Sequence, residues 1–220
     1  MEINFQTLSQ RLILTAAMPY DDLKAIERLV DQSSQFKGLA LLPSFVKTAK
    51  SLLSESPSPN LIGLVGYPSG GVSTKTKVNE VRDLVYEQVD EFHVVANTGL
   101  ILSGDWDDIQ CELLSLTHAA GLKPVSLIME ASYISDHQIM RLINLCVDVG
   151  IKGIGTSTGW LPMNPDIDHV RRIQEMVYGR LPIMVAGAVN LDEVAQYLES
   201  GVDSIIIRQQ HAEAILAQLT

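Results

Sequence analysis

The chain has 220 residues, 46% of them apolar, and carries 26 acidic against 16 basic side chains, a net charge of −10. There is enough apolar material for one sizeable core, read here as one domain over residues 1–220, while the acidic surplus argues against nucleic acid or an anionic membrane as a partner. No apolar run approaches the roughly 18 residues that span a bilayer, Met1-Glu2-Ile3-Asn4-Phe5 lacks the basic and apolar parts of an export signal, and Cys111 and Cys146 suggest neither a disulfide framework nor a zinc knuckle, so the cytoplasm is the expected compartment.

Short apolar runs alternate with longer amphipathic segments along the chain. Strands are expected at residues 12–15, 38–42, 61–67, 91–97, 124–130, 153–158, 182–187 and 203–208, each followed by a helical pattern. In the segment 106–120, Ile109, Leu113 and Leu116 fall at i, i+4 and i+7 and share one helix face. Asp105 before it suits an N-cap and Gly121 after it suits the residue past the C-terminus. Further along, Asn164-Pro165 reads as a cap followed by a first-turn proline, and Asn190 with Glu193 as a capping box. Strands alternating with helices call for a parallel sheet. Eight such units make the α/β fold a single (β/α)8 TIM barrel, with an open doubly wound sheet as the alternative.

In a barrel, chemistry gathers at the C-terminal strand ends. Those ends include Thr15, the glycine-rich turn 67–71, Asn97, Glu130, Thr158-Gly159-Trp160, Gly187-Ala188 and Arg208. Glu130 has the chemistry to take a proton or bind a ligand hydroxyl, or simply to pair with a cation. Asn97 can orient a substrate oxygen, or only satisfy loop backbone. The planar fork of Arg208 suits phosphate or carboxylate, and equally a surface salt bridge. His118, His137, His169 and His211 have no metal-ligand spacing, and no metal or cofactor is expected.

Val65-Gly66-Tyr67-Pro68-Ser69-Gly70-Gly71, Lys75 to Glu80, Asp90 to Asn97, Gly104-Asp105-Trp106 and, above all, Thr156-Ser157-Thr158-Gly159-Trp160 occur in order. Together they resemble the deoxyribose-phosphate aldolase family over nearly the whole chain. The resemblance implies the barrel fold and a lysine that forms a Schiff base with the substrate carbonyl. By the same resemblance, Gly155 stands in the place of that lysine and Met184 in the place of a second one. His93 replaces a proton-handling aspartate, Ser126 a third lysine and Ile13 another aspartate. His93 is expected to point into the barrel near its middle, as an acid–base group or as a core histidine bonded to a neighbour. The family's phosphate end implies ligand-binding roles around Thr158, Gly159, Gly187 and Ala188, with Arg208 and Gln209 where a serine pair would stand.

Other lysines offer no evident substitute. The two-residue side-chain period turns Lys152 away from the lumen face that Gly155 shares. Lys123 lies at the wrong end of its strand, and Lys75 and Lys77 are expected as exposed residues near the mouth. Three readings follow. The favoured one is a non-canonical or catalytically inactive homologue that binds a small phosphorylated or carboxylated metabolite. A second is a lyase of changed mechanism with His93 and Glu130 as its acid–base pair. The third is the family reaction, cleavage of 2-deoxyribose 5-phosphate to acetaldehyde and glyceraldehyde 3-phosphate. Self-association is compatible with all three.

Overall fold

Each expected strand forms, with ends that lie within three residues of those expected: β1 (Leu12–Ala16), β2 (Gly38–Leu41), β3 (Asn60–Val65), β4 (Glu91–Val95), β5 (Val125–Ile128), β6 (Gly153–Gly155), β7 (Ile183–Ala186) and β8 (Ser204–Arg208). A computed structural model of the chain describes residues 5–53, 58–188 and 190–218. Met1 to Asn4, read above for export signals, lie outside those residues. All eight strands run parallel in sequence order, and β8 pairs back onto β1, from Leu12 opposite Ile205 to Thr15 opposite Arg208. The fold is therefore the closed (β/α)8 barrel, not the open sheet.

Outside the barrel lie α1 (Phe5–Ser9), α2 (Leu23–Gln32), α3 (Pro43–Leu52), α4 (Thr74–Tyr86), α5 (Thr98–Ser103), α6 (Trp106–Ala120), α7 (Asp136–Asp148), α8 (Ile167–Val177), α9 (Leu191–Glu199) and α10 (Gln209–Leu216). The face read from the sequence of α6 is the buried one, with Ile109, Leu113 and Leu116 against the strands. Asp105 does precede α6, although its side chain makes no capping bond. Asn190 caps α9 by accepting the Glu193 amide at 2.9 Å. The start of α8 differs from expectation: Asp166, not Asn164, is its cap and accepts the His169 amide at 2.8 Å. A carboxylate one residue past the proline does the capping, which leaves Asn164 for the barrel mouth.

The core has two parts. The larger fills the space between strands and helices, while a second cluster of Ile13, Ala17, Ala40, Ile62, Leu64, Met184, Ala186 and Ile206 plugs the lumen. Each Ile, Leu or Met side chain buried there contributes about 1.5–3 kcal/mol. Toward β4 and β5 the lumen turns polar. There Ser126 Oγ donates to Glu91 Oε1 at 2.9 Å, and His93 Nε2 sits 3.2 Å from the same oxygen. At the N-terminal end of the barrel, Arg11 donates to the backbone oxygens of Asp203 and Val202, both at 2.7 Å. Lys37 bonds to Ser204 and Lys123 to the Val89 carbonyl. These cations hold the closed end and leave the C-terminal end open for a ligand. No helix among the described residues is long and apolar enough to cross a membrane.

Candidate functional site

The C-terminal ends of β1, β6, β7 and β8 enclose a cavity of about 220 Å³. Local geometry at three strand exits shapes it. After β6, the Thr158 amide and hydroxyl both donate to Glu130 Oε1, the amide at 3.2 Å. That capture pulls the chain out of the ladder, so β6 ends at Gly155 rather than at the expected Thr158. Gly159 then turns at φ +70°. After β7, Gly187 adopts φ +96°, and a Cβ placed on it would lie 2.6 Å from the Asn164 amide nitrogen. Only glycine accommodates both the backbone conformation and that close approach. At the end of β8, Arg208 is also the residue before α10 and makes no side-chain capping bond.

Arg208 dominates the electrostatics of this cavity. It lines the wall together with His211, one turn further along α10, and among the described residues it forms no ion pair. Its charge opposes protonation of His211, which burial already pushes below the usual imidazole value. Burial drives the Tyr67 hydroxyl the other way, up to about 12, against the pull of Arg208. The Tyr67 hydroxyl donates to the Thr158 carbonyl at 3.3 Å, and its ring meets Trp160 edge-on at 6.0 Å. No carboxylate and no lysine is among the residues lining the cavity. The arrangement is chemically suited to hold an anion on a cationic and backbone surface.

Of the residues singled out by sequence, Thr158, Gly159, Gly187, Ala188 and Arg208 line this one cavity. His93, Glu130 and Asn97 do not. Asn97 caps α5 and accepts the Leu100 amide at 3.2 Å. His93 is fully buried below the mouth, bonded to Glu91, and its Nδ1 finds no partner among the described residues. Burial raises the Glu91 carboxyl, but bonds to His93 and Ser126 and the charges of His93 and Lys37 outweigh it, leaving Glu91 below the usual carboxylate range. Glu130 lies buried beneath Thr158, and desolvation raises it despite the two bonds it accepts. Met184 sits beside Gly155 in register, and a Cβ on Gly155 would lie 3.0 Å from Ile128 Cγ1. The Ile128 side chain thus crowds the space into which a larger residue there would grow.

Lys77 corrects the sequence expectation. Lys75 is exposed, but Lys77 is fully buried. Its Nζ donates to Glu112 Oε1 of α6 at 2.7 Å and to the Val95 carbonyl at 2.9 Å. Burial lowers its pKa, and the Glu112 charge and hydrogen bond work against that lowering. The i, i+4, i+7 spacing of Lys77, Val81 and Leu84, which all face inward, carried the signal that Lys77 belongs to the packed face of α4. Tyr67 was read only as part of a strand-end turn, and Asn164 and His211 were missed as lining residues. For His211 the signal was its place in the first helical turn after the strand that ends at Arg208. Among the described residues, no group of three or more His, Cys, Asp or Glu side chains is placed to hold a metal ion.

No protein-family model matches the chain. The deoxyribose-phosphate aldolase of Klebsiella pneumoniae is 34% identical over 182 residues, covering 81% of this chain and 73% of that protein. The enzyme of the same name from Thermococcus gammatolerans is 29% identical over 199 residues, covering 87% and 88%. Among solved structures, an aldolase called QR15 matches with a TM-score of 0.88 at 24% identity, over 96% of this chain and 95% of that one. The tetrameric deoxyribose phosphate aldolase of Aeropyrum pernix matches at 0.84 and 20%, over 97% and 91%.

Proposed function

We propose, from the premise that this chain belongs to the deoxyribose-phosphate aldolase family, that it binds a small phosphorylated or carboxylated metabolite in the barrel mouth without forming an imine. The observation that carries this reading is the composition of the cavity wall: an arginine without an ion-pair partner among the described residues, glycine turns, and no amine. The family resemblance assigns imine chemistry to a lysine in the place of Gly155. A Schiff-base lysine needs burial or a neighbouring cation to lower its pKa. Lys77 has the burial, but its ammonium is spent on Glu112 and the Val95 carbonyl. Arg208 would hold the anion, the backbone at Gly159, Gly187 and Ala188 would surround it, and Thr158 would be positioned by Glu130.

A second reading rests on the 34% identity to a named deoxyribose-phosphate aldolase. It is the family reaction, cleavage of 2-deoxyribose 5-phosphate to acetaldehyde and glyceraldehyde 3-phosphate. The acid–base reading through His93 and Glu130 has less support, since neither residue lines the cavity. Self-association belongs to the same proposal, since a tetramer is described for the Aeropyrum pernix protein. The test is thermal unfolding with 2-deoxyribose 5-phosphate or glyceraldehyde 3-phosphate, with a coupled assay for released acetaldehyde. Both ligands are expected to raise Tm, by the equivalent of about 2.7 kcal/mol at a hundredfold excess over Kd. Arg208→Gln should lose most of that rise, and no acetaldehyde should form. Stabilisation that survives Arg208→Gln removes the anion assignment, and steady acetaldehyde release removes the non-catalytic one.

A further inference from the structure

We infer that His211 is a second, proton-dependent ligand for the anion held by Arg208, so that the mouth prefers a dianionic phosphate monoester to a monoanionic carboxylate and takes up one proton from solvent on binding. The inference rests on reading the mouth as an anion site, and it narrows the ligand to one class.

The geometry is specific. Arg208 ends β8 and His211 lies in the first turn of the helix that follows it, and both line the same cavity. That wall contains no carboxylate, so no resident anion satisfies either group inside the chamber. With the site empty, the imidazole is partly desolvated and stands beside a permanent cation, which favours its neutral form. Its Nε2 lies 3.4 Å from the Gln210 side-chain amide nitrogen, an exposed contact that a ligand can replace. A doubly charged anion on Arg208 reverses the local field. Protonation then turns the imidazole into a two-nitrogen donor able to meet the anion. A monoanion is largely neutralised by the guanidinium alone and leaves little field to recruit the second proton.

Arg208 stands at the start of the helix that carries His211, and Glu193 of α9 opposes Arg208 by favouring the protonated form. Tyr67, on the turn after β3, lines the same cavity, and with its hydroxyl at about 12 it stays neutral through the physiological range. The sign follows. Anion binding raises an imidazole that is depressed in the empty site, so affinity should climb as pH falls through the interval between the empty and occupied states, and level off below it. This interval reaches below the ordinary histidine value of about 6.5.

Sulfate is the probe, because it stays doubly charged across this range whereas a phosphate ester titrates near pH 6. Binding of inorganic sulfate and of acetate is measured by calorimetry between about pH 5 and 8.5 in buffers of different ionisation enthalpy. One unit of pKa displacement corresponds to a tenfold gain in affinity, so sulfate should tighten about tenfold toward low pH with uptake of a proton, while acetate should not. His211→Gln and His211→Asn should bind sulfate as wild type does at the alkaline end and lose the gain at the acid end. Their circular dichroism should match wild type, since His211 is only half-buried. A flat sulfate profile in a wild type that still needs Arg208 overturns the role of His211 and leaves the anion site intact. A pH dependence that persists in both variants places the titrating group elsewhere, with the same consequence. No sulfate binding at any pH, or binding indifferent to Arg208→Gln, overturns the anion site itself.

Discussion

Glu130 illustrates how one side chain sets both geometry and pH behaviour. It is buried and holds two donors from Thr158, and burial raises its carboxyl above the ordinary value. A carboxyl raised in the folded state holds its proton more tightly there than in the unfolded chain, where it titrates near 4.3. Stability from the protonated form is therefore complete below about pH 4 and is lost as pH rises through the folded value. Glu130→Gln keeps an oxygen to accept from Thr158 and removes the titration. The variant should match wild type in stability near pH 4, exceed it at pH 8, and show a flatter profile between, as read by urea unfolding at several pH values. A variant less stable at pH 8 would mean that the carboxylate meets a cation not evident in this geometry.

At the scale of elements, the Lys77–Glu112 pair joins α4 to α6 across the outside of the barrel, with side-chain exposures of 0% and 4%. Thr74 adds a second bond to the same carboxylate, its hydroxyl donating to Oε2 at 3.2 Å. Removing one partner strands a buried charge, so Lys77→Met alone should cost about 3–5 kcal/mol. Lys77→Met with Glu112→Leu should recover most of that loss, because an apolar pair of similar volume avoids desolvation. Chemical denaturation of the two variants checks this, and equal losses in both would mean that the pair is not the source of the effect. The same pair marks what was legible in the sequence. The inward position of Lys77 was written in its spacing to Val81 and Leu84, while its partner lies 35 residues away and no local pattern points to it. Strand existence was legible because a parallel sheet covered on both sides needs continuous apolar runs. Most strand ends were not. The end of β6 depends on Glu130, 28 residues before the Thr158 that it captures, and the start of α8 on which of two neighbouring side chains reaches the helix amides.

At the scale of the whole molecule, strand order and closure decide which residues meet. Ile13 and Ile206 are neighbours because β8 closes on β1, and the same closure brings Thr15 and Arg208 together at the mouth. Five of the residues chosen from sequence for ligand binding meet in the mouth cavity because they end or follow neighbouring strands, and reading strand ends as one ring was enough to group them. Depth along the lumen was harder to read. His93 shares the barrel axis with the mouth, yet its bond to Glu91 seats it among the lower layers, and an alternating pattern gives the face of a strand without giving its height. Whether covalent capture occurs in this barrel separates a binding protein from an aldolase. Incubation with acetaldehyde or 2-deoxyribose 5-phosphate, reduction with borohydride and mass spectrometry of the intact protein measure this directly. The account predicts an unchanged mass; a reduced adduct, mapped by peptide analysis to Lys77 or any other lysine, would contradict it.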